Sequence, residues 1–288
     1  MSDAKKLLLL GYTGKMGIVL KKVFDADYDV IGKNSCDFDA SDFEGVCRLI
    51  DDITPDIVIN SVAFLGIDPC ENEPEKAFRL NTLYPKLLAE LSIKKRFLLV
   101  HFSTDAVFND EKKDYYVESD IPCPLNIYGL TKYGGDCFIQ AIAKQYYIIR
   151  ISVLFGESIK ATQFVEKMLN KIQQGAASLK ISNDIILSPT YSKDAAVEVK
   201  RIIERSLPFG LYHIANEGKA SLYDLMNDIV NGLKMDTRIE RASYKDFPYV
   251  GIKNTFTPIR SEKINLMRPW KDAVREYCDE IKMKVKRR

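Results

Sequence analysis

The chain has 288 residues, of which 46% are hydrophobic and 28% are charged, and its formal net charge is +2. This balance is ordinary for a globular protein, and it argues against partners such as nucleic acids or membranes, which need a strong positive field. The six cysteines contain no Cys-x-x-Cys pair. We therefore expect reduced thiols, no metal site and a cytoplasmic location.

The chain opens with a predicted strand, a glycine-rich turn and a helix. Lys6–Leu10 is continuously apolar after its first residue, as in a strand buried on both faces of a parallel sheet. Gly11, Gly14 and Gly17 follow, and residues 16–24 form an amphipathic helical pattern. Small residues let backbone N–H groups and a helix N-terminus approach a pyrophosphate. The turn is therefore predicted to bind a dinucleotide, although its spacing differs from the usual Gly-x-Gly-x-x-Gly.

The end of the second strand indicates which dinucleotide binds. This strand is predicted over residues 28–31, and an acidic residue after it would bind the ribose hydroxyls of NAD. None is present there, whereas Lys33, together with Lys15 in the glycine turn, could meet a 2′-phosphate. The sequence therefore favours NADPH over NADH.

Strands and helices alternate along the rest of the chain. Further strands are predicted over residues 56–60, 97–102, 146–151 and 210–215, and a long helix over 74–91 that Pro85 should kink. This alternation predicts an α/β protein with a doubly wound parallel (Rossmann) sheet and a smaller C-terminal α/β substrate-binding domain. We assign residues 1–156 to the first domain and 157–288 mainly to the second, with elements near 186–216 returning to the first.

A tyrosine and a lysine four residues apart are the main candidates for chemistry. Tyr128 and Lys132 would lie on the same face of a helix. An ammonium beside a phenol favours the phenolate and lowers the pKa of the phenol, which gives a proton donor or acceptor near neutral pH. Thr104 lies just after a predicted strand end, where parallel sheets place their ligands.

These segments, taken together, resemble the extended short-chain dehydrogenase/reductases, and more narrowly the dTDP-4-dehydrorhamnose reductase-like family. The resemblance covers most of the chain, with several segments in the family's order. The segments that carry it are 55–60, 71–74 with Asn81, 103–108, 128–132, 188–191 and 210–213.

The resemblance implies an NAD(P)H-dependent reduction of a nucleotide-linked 4-keto-6-deoxysugar. Its catalytic residues would be Thr104, Tyr128 and Lys132. The implied substrate-binding residues are Thr104, Asp105, Ala106 and Val153. The expected cofactor-binding residues are Gly11, Thr13, Gly14, Lys15, Met16, Gly17, Lys33, Asn34, Asp39, Ala40, Val62, Ala63, Phe64, Asn81, Tyr128 and Lys132. A homodimer is the expected assembly if the chain associates.

The departures from the family pattern lie on the substrate side. Ala106 stands where the reductases usually carry Tyr, and Val153 stands close to their usual Trp. Since polar and aromatic groups set discrimination between substrates, the expected substrate is a related 4-keto-6-deoxysugar rather than dTDP-4-keto-rhamnose. Ala106 also argues against a dehydratase, which would carry an acid there.

Two alternatives stay open at this stage. A nucleotide-sugar 4-epimerase would use the same Tyr128 and Lys132 but would keep NAD⁺ tightly bound. A non-catalytic, NADP-binding regulatory subunit would keep the scaffold without turnover, because a fold alone does not prove an activity.

Overall fold

The computed structural model describes residues 4–159 and 163–286. Its strands are β1 (Lys6–Leu10), β2 (Asp29–Lys33), β3 (Ile57–Asn60), β4 (Leu98–Thr104), β5 (Tyr146–Ile151), β6 (Leu154–Phe155), β7 (Ser178–Ser182), β8 (Ile186–Leu187), β9 (Thr190–Tyr191), β10 (Gly210–Ile214), β11 (Ala220–Ser221) and β12 (Arg238–Ala242). Its α-helices are α1 (Lys15–Phe24), α2 (Phe43–Ile53), α3 (Ile67–Asn72), α4 (Pro74–Phe78), α5 (Tyr84–Lys95), α6 (Ile127–Ile142), α7 (Phe164–Gln173), α8 (Ser192–Glu204), α9 (Leu222–Leu233) and α10 (Trp270–Lys286).

Six parallel strands form the large sheet, in the order β10-β5-β4-β3-β1-β2. Because side chains alternate along a strand, Leu7 and Leu9 pack with α1 and α8, whereas Leu8 and Leu10 pack with α2, α5 and α6. The leucine run of β1 is therefore buried on both faces of the sheet. The predicted doubly wound α/β sheet is confirmed.

The strand order reverses between β1 and β3, which is where open α/β sheets bind their ligands. The segments that follow these two strands lie side by side, and Ser61 N donates to Leu10 O at 3.0 Å. The glycine turn and the segment after Asn60 therefore face one crevice at the carboxyl edge of the sheet.

The predicted long helix is interrupted where Pro85 falls. A π-helical turn, Arg79–Leu83, joins α4 to α5. Proline lacks the N–H of a regular helix, and its ring would meet the carbonyl four residues earlier, at Asn81. A wider turn relieves that contact, and it places Asn81 against α6, with the Asn81 carbonyl close to Gly135.

The second part of the chain has its own apolar core, between β7, β12, α7, α9 and α10. β12, which the sequence did not predict, pairs in parallel with β7. The predicted cap of α9 is present, since Ser221 Oγ accepts from Asp224 N at 3.0 Å and Asp224 Oδ2 accepts from Ser221 N at 3.1 Å.

The chain returns to the large sheet between these elements. α8 packs on α1, and β10 extends the sheet beyond β5. Within residues 4–159 and 163–286, no helix combines the length and apolar character needed to cross a membrane.

Candidate active site

The glycine turn is shaped so that a ligand can reach the backbone. Gly11 has φ +83°, a conformation that side chains disfavour. A Cβ on Gly17 would lie 2.3 Å from Gly11 O. Gly14 is the N-cap of α1 and offers no side-chain oxygen to its first N–H groups. These uncapped donors at a helix N-terminus fit a pyrophosphate.

A groove runs away from this turn along the edge of the sheet, and its outer end is a cavity of about 570 Å³. The predicted cofactor residues that line it are Gly11, Thr13, Gly14, Lys15, Asn34, Asp39, Ala40, Val62 and Ala63. Met16 lines the adjoining inner part of the groove. The cavity and the uncapped turn together have room for a dinucleotide.

Phe64 and Asn81 do not line this groove, but they support the segment that forms its wall. Asn81 is fully buried, and its amide accepts from Phe64 N at 2.8 Å and donates to Phe64 O at 3.0 Å. It also lies 3.2 Å from Thr131 Oγ1, beside the tyrosine–lysine pair. Asn81 therefore positions the segment after β3 and does not face the groove.

The two lysines expected at a 2′-phosphate are placed differently. The Lys15 ammonium donates to Glu166 at 2.8 Å and to Leu154 O at 2.9 Å, so it joins the glycine turn to α7. Lys33 holds the turn through its backbone, as its carbonyl accepts from Gly11 N at 2.7 Å. The expected 2′-phosphate role of Lys15 is wrong in this structure, because its charge is already paired in a buried position.

Thr104 and Tyr128 stand where the groove meets a second cavity. Both line the inner groove, beside Lys132, and both line the cavity beyond it. Asn126 caps α6, since its side chain accepts from Gly129 N at 2.9 Å. A Cβ on Gly129 would lie 2.2 Å from Ala106 O. This close contact fixes α6 against the end of β4, and with it the distance between Tyr128 and Thr104.

The expected lowering of the Tyr128 pKa is wrong. Burial raises the pKa of this phenol, and a hydrogen bond from Thr104 only partly offsets that effect, with Asp105 raising it further. Lys132 is not among the groups that lower the pKa of Tyr128 in this structure, and its Nζ donates to Phe102 O at 2.6 Å and lies 3.1 Å from His101 Nε2. Tyr128 is therefore protonated at neutral pH, as a proton donor must be.

The carboxyl group of Asp105 sits at the centre of a hydroxyl cluster. Ser152 Oγ donates to it at 2.6 Å, Thr257 Oγ1 at 3.1 Å and Thr104 Oγ1 at 3.2 Å. Burial raises the pKa of Asp105, and these three hydrogen bonds oppose the rise. The cluster ties Thr104 to β5 and to the late segment that contains Thr257.

The second cavity, of about 630 Å³, lies between the sheet edge and the C-terminal part. Ala106 and Val153, the two departures named in the sequence analysis, both line it. Lys253 also lines it, and in the described part of the chain its ammonium has no hydrogen-bond or ion-pair partner. Burial lowers the pKa of Lys253. An unpaired cation in a half-buried site fits an anionic substrate group.

Several of these residues carried no sequence signal. Ser152, Thr257 and Lys253 lie far apart along the chain, and only the fold brings them to one cavity. His101 falls in the strand predicted over residues 97–102 and is buried there, but its contact with Lys132 was not predicted. A polar side chain inside an otherwise apolar strand was the one signal available.

Comparisons with known proteins show similarity over most of the chain. The family model for the RmlD substrate binding domain matches residues 5–283. The chain is 32% identical over 280 residues to the spore coat polysaccharide biosynthesis protein SpsK of Bacillus subtilis, with 96% of this chain and 97% of that protein covered. It is 31% identical to the dTDP-4-dehydrorhamnose reductase of Aggregatibacter actinomycetemcomitans, over 76% of each chain.

Two solved structures share the whole architecture. A dTDP-4-dehydrorhamnose reductase from Clostridium acetobutylicum has a TM-score of 0.90 at 28% identity, with 96% of this chain and 100% of that one covered. The dTDP-4-dehydrorhamnose reductase of Bacillus anthracis, in complex with NADP, has a TM-score of 0.90 at 25% identity over 96% and 99% of the two chains. The chain therefore belongs to the RmlD substrate binding domain family, within the extended short-chain dehydrogenase/reductases.

Proposed function

We propose that this protein is an NADPH-dependent oxidoreductase that reduces a nucleotide-linked 4-keto-6-deoxysugar to the hydroxy sugar. The observation that carries the proposal is the position of Thr104 and Tyr128, which line both the cofactor groove and the second cavity. Relatives named dTDP-4-dehydrorhamnose reductase, one of them solved with NADP, support the reaction class and the cofactor. A cytoplasmic location and a homodimer are part of the proposal.

The cofactor would be held by the glycine turn and the segment Val62–Ala63, and it would supply the hydride. Tyr128 donates its phenolic proton to the oxygen that becomes the alkoxide. Lys132, one helical turn away, lends positive charge that stabilises the resulting phenolate. Thr104 Oγ1 accepts from Ala106 N at 3.1 Å and would turn its hydroxyl hydrogen from Asp105 to the same oxygen, which fixes the carbonyl.

The substrate would lie in the second cavity with its nucleotide end toward Lys253. Ala106 and Val153 leave room that the family's aromatics would fill, which supports a 4-keto-6-deoxysugar other than dTDP-4-keto-rhamnose. The hydroxyl cluster around Asp105 lies at the sugar end, beside Thr104. Ser152 and Thr257 are buried at this end of the cavity.

The test is the loss of NADPH absorbance with a panel of nucleotide-linked 4-keto-6-deoxysugars. Tyr128→Phe should bind NADPH normally and reduce the rate by about 10²–10³-fold, as the loss of one such contact does. The matched control is Tyr133→Phe on the same helix, which lines neither cavity and should keep its rate. No turnover with any sugar, or an unchanged rate in Tyr128→Phe, would contradict the proposal.

A further inference from the structure

Three buried polar side chains form a row behind the active site. Asn60 ends β3, His101 lies on β4 and Lys132 lies on α6, with exposures of 0%, 0% and 2%. The Asn60 amide nitrogen is 3.0 Å from His101 Nδ1, and Lys132 Nζ is 3.1 Å from His101 Nε2. Because the row is buried, every hydrogen in it needs an acceptor within it.

The contacts of Asn60 determine which ring nitrogen of His101 carries the proton. Asn60 Oδ1 accepts from Val62 N at 3.1 Å, so the amide nitrogen, a donor, points at Nδ1. Nδ1 must then accept, and a neutral imidazole has a single N–H. The proton of His101 is therefore on Nε2, directed at Lys132 Nζ.

An amine can accept that N–H, whereas an ammonium has no lone pair. If Lys132 were charged, His101 would carry its proton on Nδ1, and two donors would meet at Asn60. If the Asn60 amide were rotated by 180°, its nitrogen would face Val62 N, and two donors would meet there instead. The row is free of conflict with Lys132 as an amine that donates to Phe102 O at 2.6 Å.

We propose that His101, oriented by Asn60, is a positioning residue that presents an Nε2–H to Lys132 and so favours the amine form of this lysine. Burial also lowers the pKa of Lys132, to about 8. The titratable and charged groups that surround Lys132 and Tyr128 are Asp136 on α6, His101 on β4, Arg150 on β5, Asp105 after β4 and Cys70 on α3. Asp136 alone favours the ammonium directly, and its charge is shared with Arg150, whose Nη2 is 3.1 Å away.

The position of the His101 proton can be measured on the protein itself, without an activity assay. The chain has two histidines, so nitrogen-15 labelling of histidine gives two imidazole signals, and His101→Gln assigns them. His213 is an internal reference, because its Nδ1 lies 3.2 Å from two backbone carbonyls and must carry the proton. At alkaline pH we expect Nε2–H for His101 and Nδ1–H for His213. A proton on Nδ1 of His101 would overturn the proposal.

The Asn60→Asp variant tests the orientation. A carboxylate accepts from Nδ1–H, so His101 should move its proton to Nδ1, accept at Nε2 and favour the Lys132 ammonium. An unchanged proton position in a folded variant would contradict the role of Asn60. If Asn60→Asp does not fold, the wild-type spectrum still decides which tautomer His101 adopts.

A second test uses the reaction rate and rests on the proposed reduction, in which a charged Lys132 stabilises the Tyr128 phenolate. The rate should fall as the pH rises through the Lys132 pKa of about 8. Two variants should raise the pH at which the rate falls by about one unit or more. One is Asn60→Asp, and the other is the charge-neutral His101→Gln, whose amide oxygen can accept a hydrogen bond from an ammonium. A fall that stays in place in both variants would refute the effect on Lys132. If no sugar is turned over, the reduction fails while the spectra still test His101.

Discussion

The ion pair of Lys15 and Glu166 offers a quantitative test of how the glycine turn is joined to the second part of the chain. The two side chains are 1% and 12% exposed, and their charged atoms are 2.8 Å apart. Burial lowers the pKa of Lys15, with Glu166 only partly offsetting that effect. Desolvation therefore outweighs the attraction, so the pair holds the two parts in register without adding net stability.

We expect the single variants to be far less stable than the double variant. Lys15→Met leaves the Glu166 carboxylate without its cation, and the other oxygen, Oε1, already has no partner in the described residues. Leaving one buried charge unpaired costs about 3–5 kcal/mol. Lys15→Met combined with Glu166→Leu removes both charges and should lie within about 1 kcal/mol of the wild type.

Urea denaturation, followed by circular dichroism and by the fluorescence of the single tryptophan, Trp270, measures these free energies of unfolding. The pH dependence adds a check. Because the Lys15 pKa is lower in the folded chain than its ordinary value of 10.5, the unfolded chain binds this proton more tightly. Stability should rise with pH between the two values, and Lys15→Met should lose that rise. Additive single effects below about 1 kcal/mol would refute the reasoning, because exposed pairs behave in that way.

Three further predictions concern the groove and the cavity. Gly17→Ala should abolish NADPH binding in a fluorescence titration, because its Cβ would lie 2.3 Å from a backbone oxygen of the turn. Asn81→Ala should weaken NADPH binding and lower the free energy of unfolding by about 1–3 kcal/mol, because the part-buried N–H and carbonyl of Phe64 lose their hydrogen-bond partner. Lys253→Met should raise KM for the nucleotide sugar about 10-fold or more, as the loss of a charge-assisted hydrogen bond does. The control Lys245→Met, at an exposed lysine that does not line this cavity, should leave KM unchanged.

The elements that the sequence predicted are those with local causes. The leucines of β1 and the glycines after it determine their own conformation, whatever the rest of the chain does. β12 was missed because three of the five residues in Arg238–Ala242 are charged, and its strand state depends on pairing with β7. The Pro85 interruption was predicted, but its π-helical form depends on the packing of Asn81 against α6.

The candidate site divides in the same way. Tyr128 and Lys132 could be paired from their spacing, and Thr104 from its place at a strand end. The partner of Lys15, by contrast, is 151 positions away, and no local pattern reveals it. The Lys132 environment was also misjudged, because its contacts with His101 and with the Phe102 carbonyl depend on how α6 packs on β4.

The division of the site between two parts of the chain bears on how its substrate can differ from that of its relatives. Tyr128 and Thr104 are held by the sheet edge and by the close packing of α6, and the contacts with the late segment are made through Asp105 and Asn126. The cavity walls that would select the sugar and nucleotide come largely from α7, β7 and the segment around Lys253. Substitutions there can change the ligand while the proton donor keeps its place. The small side chains at Ala106 and Val153 are therefore consistent with intact chemistry on a different keto-sugar.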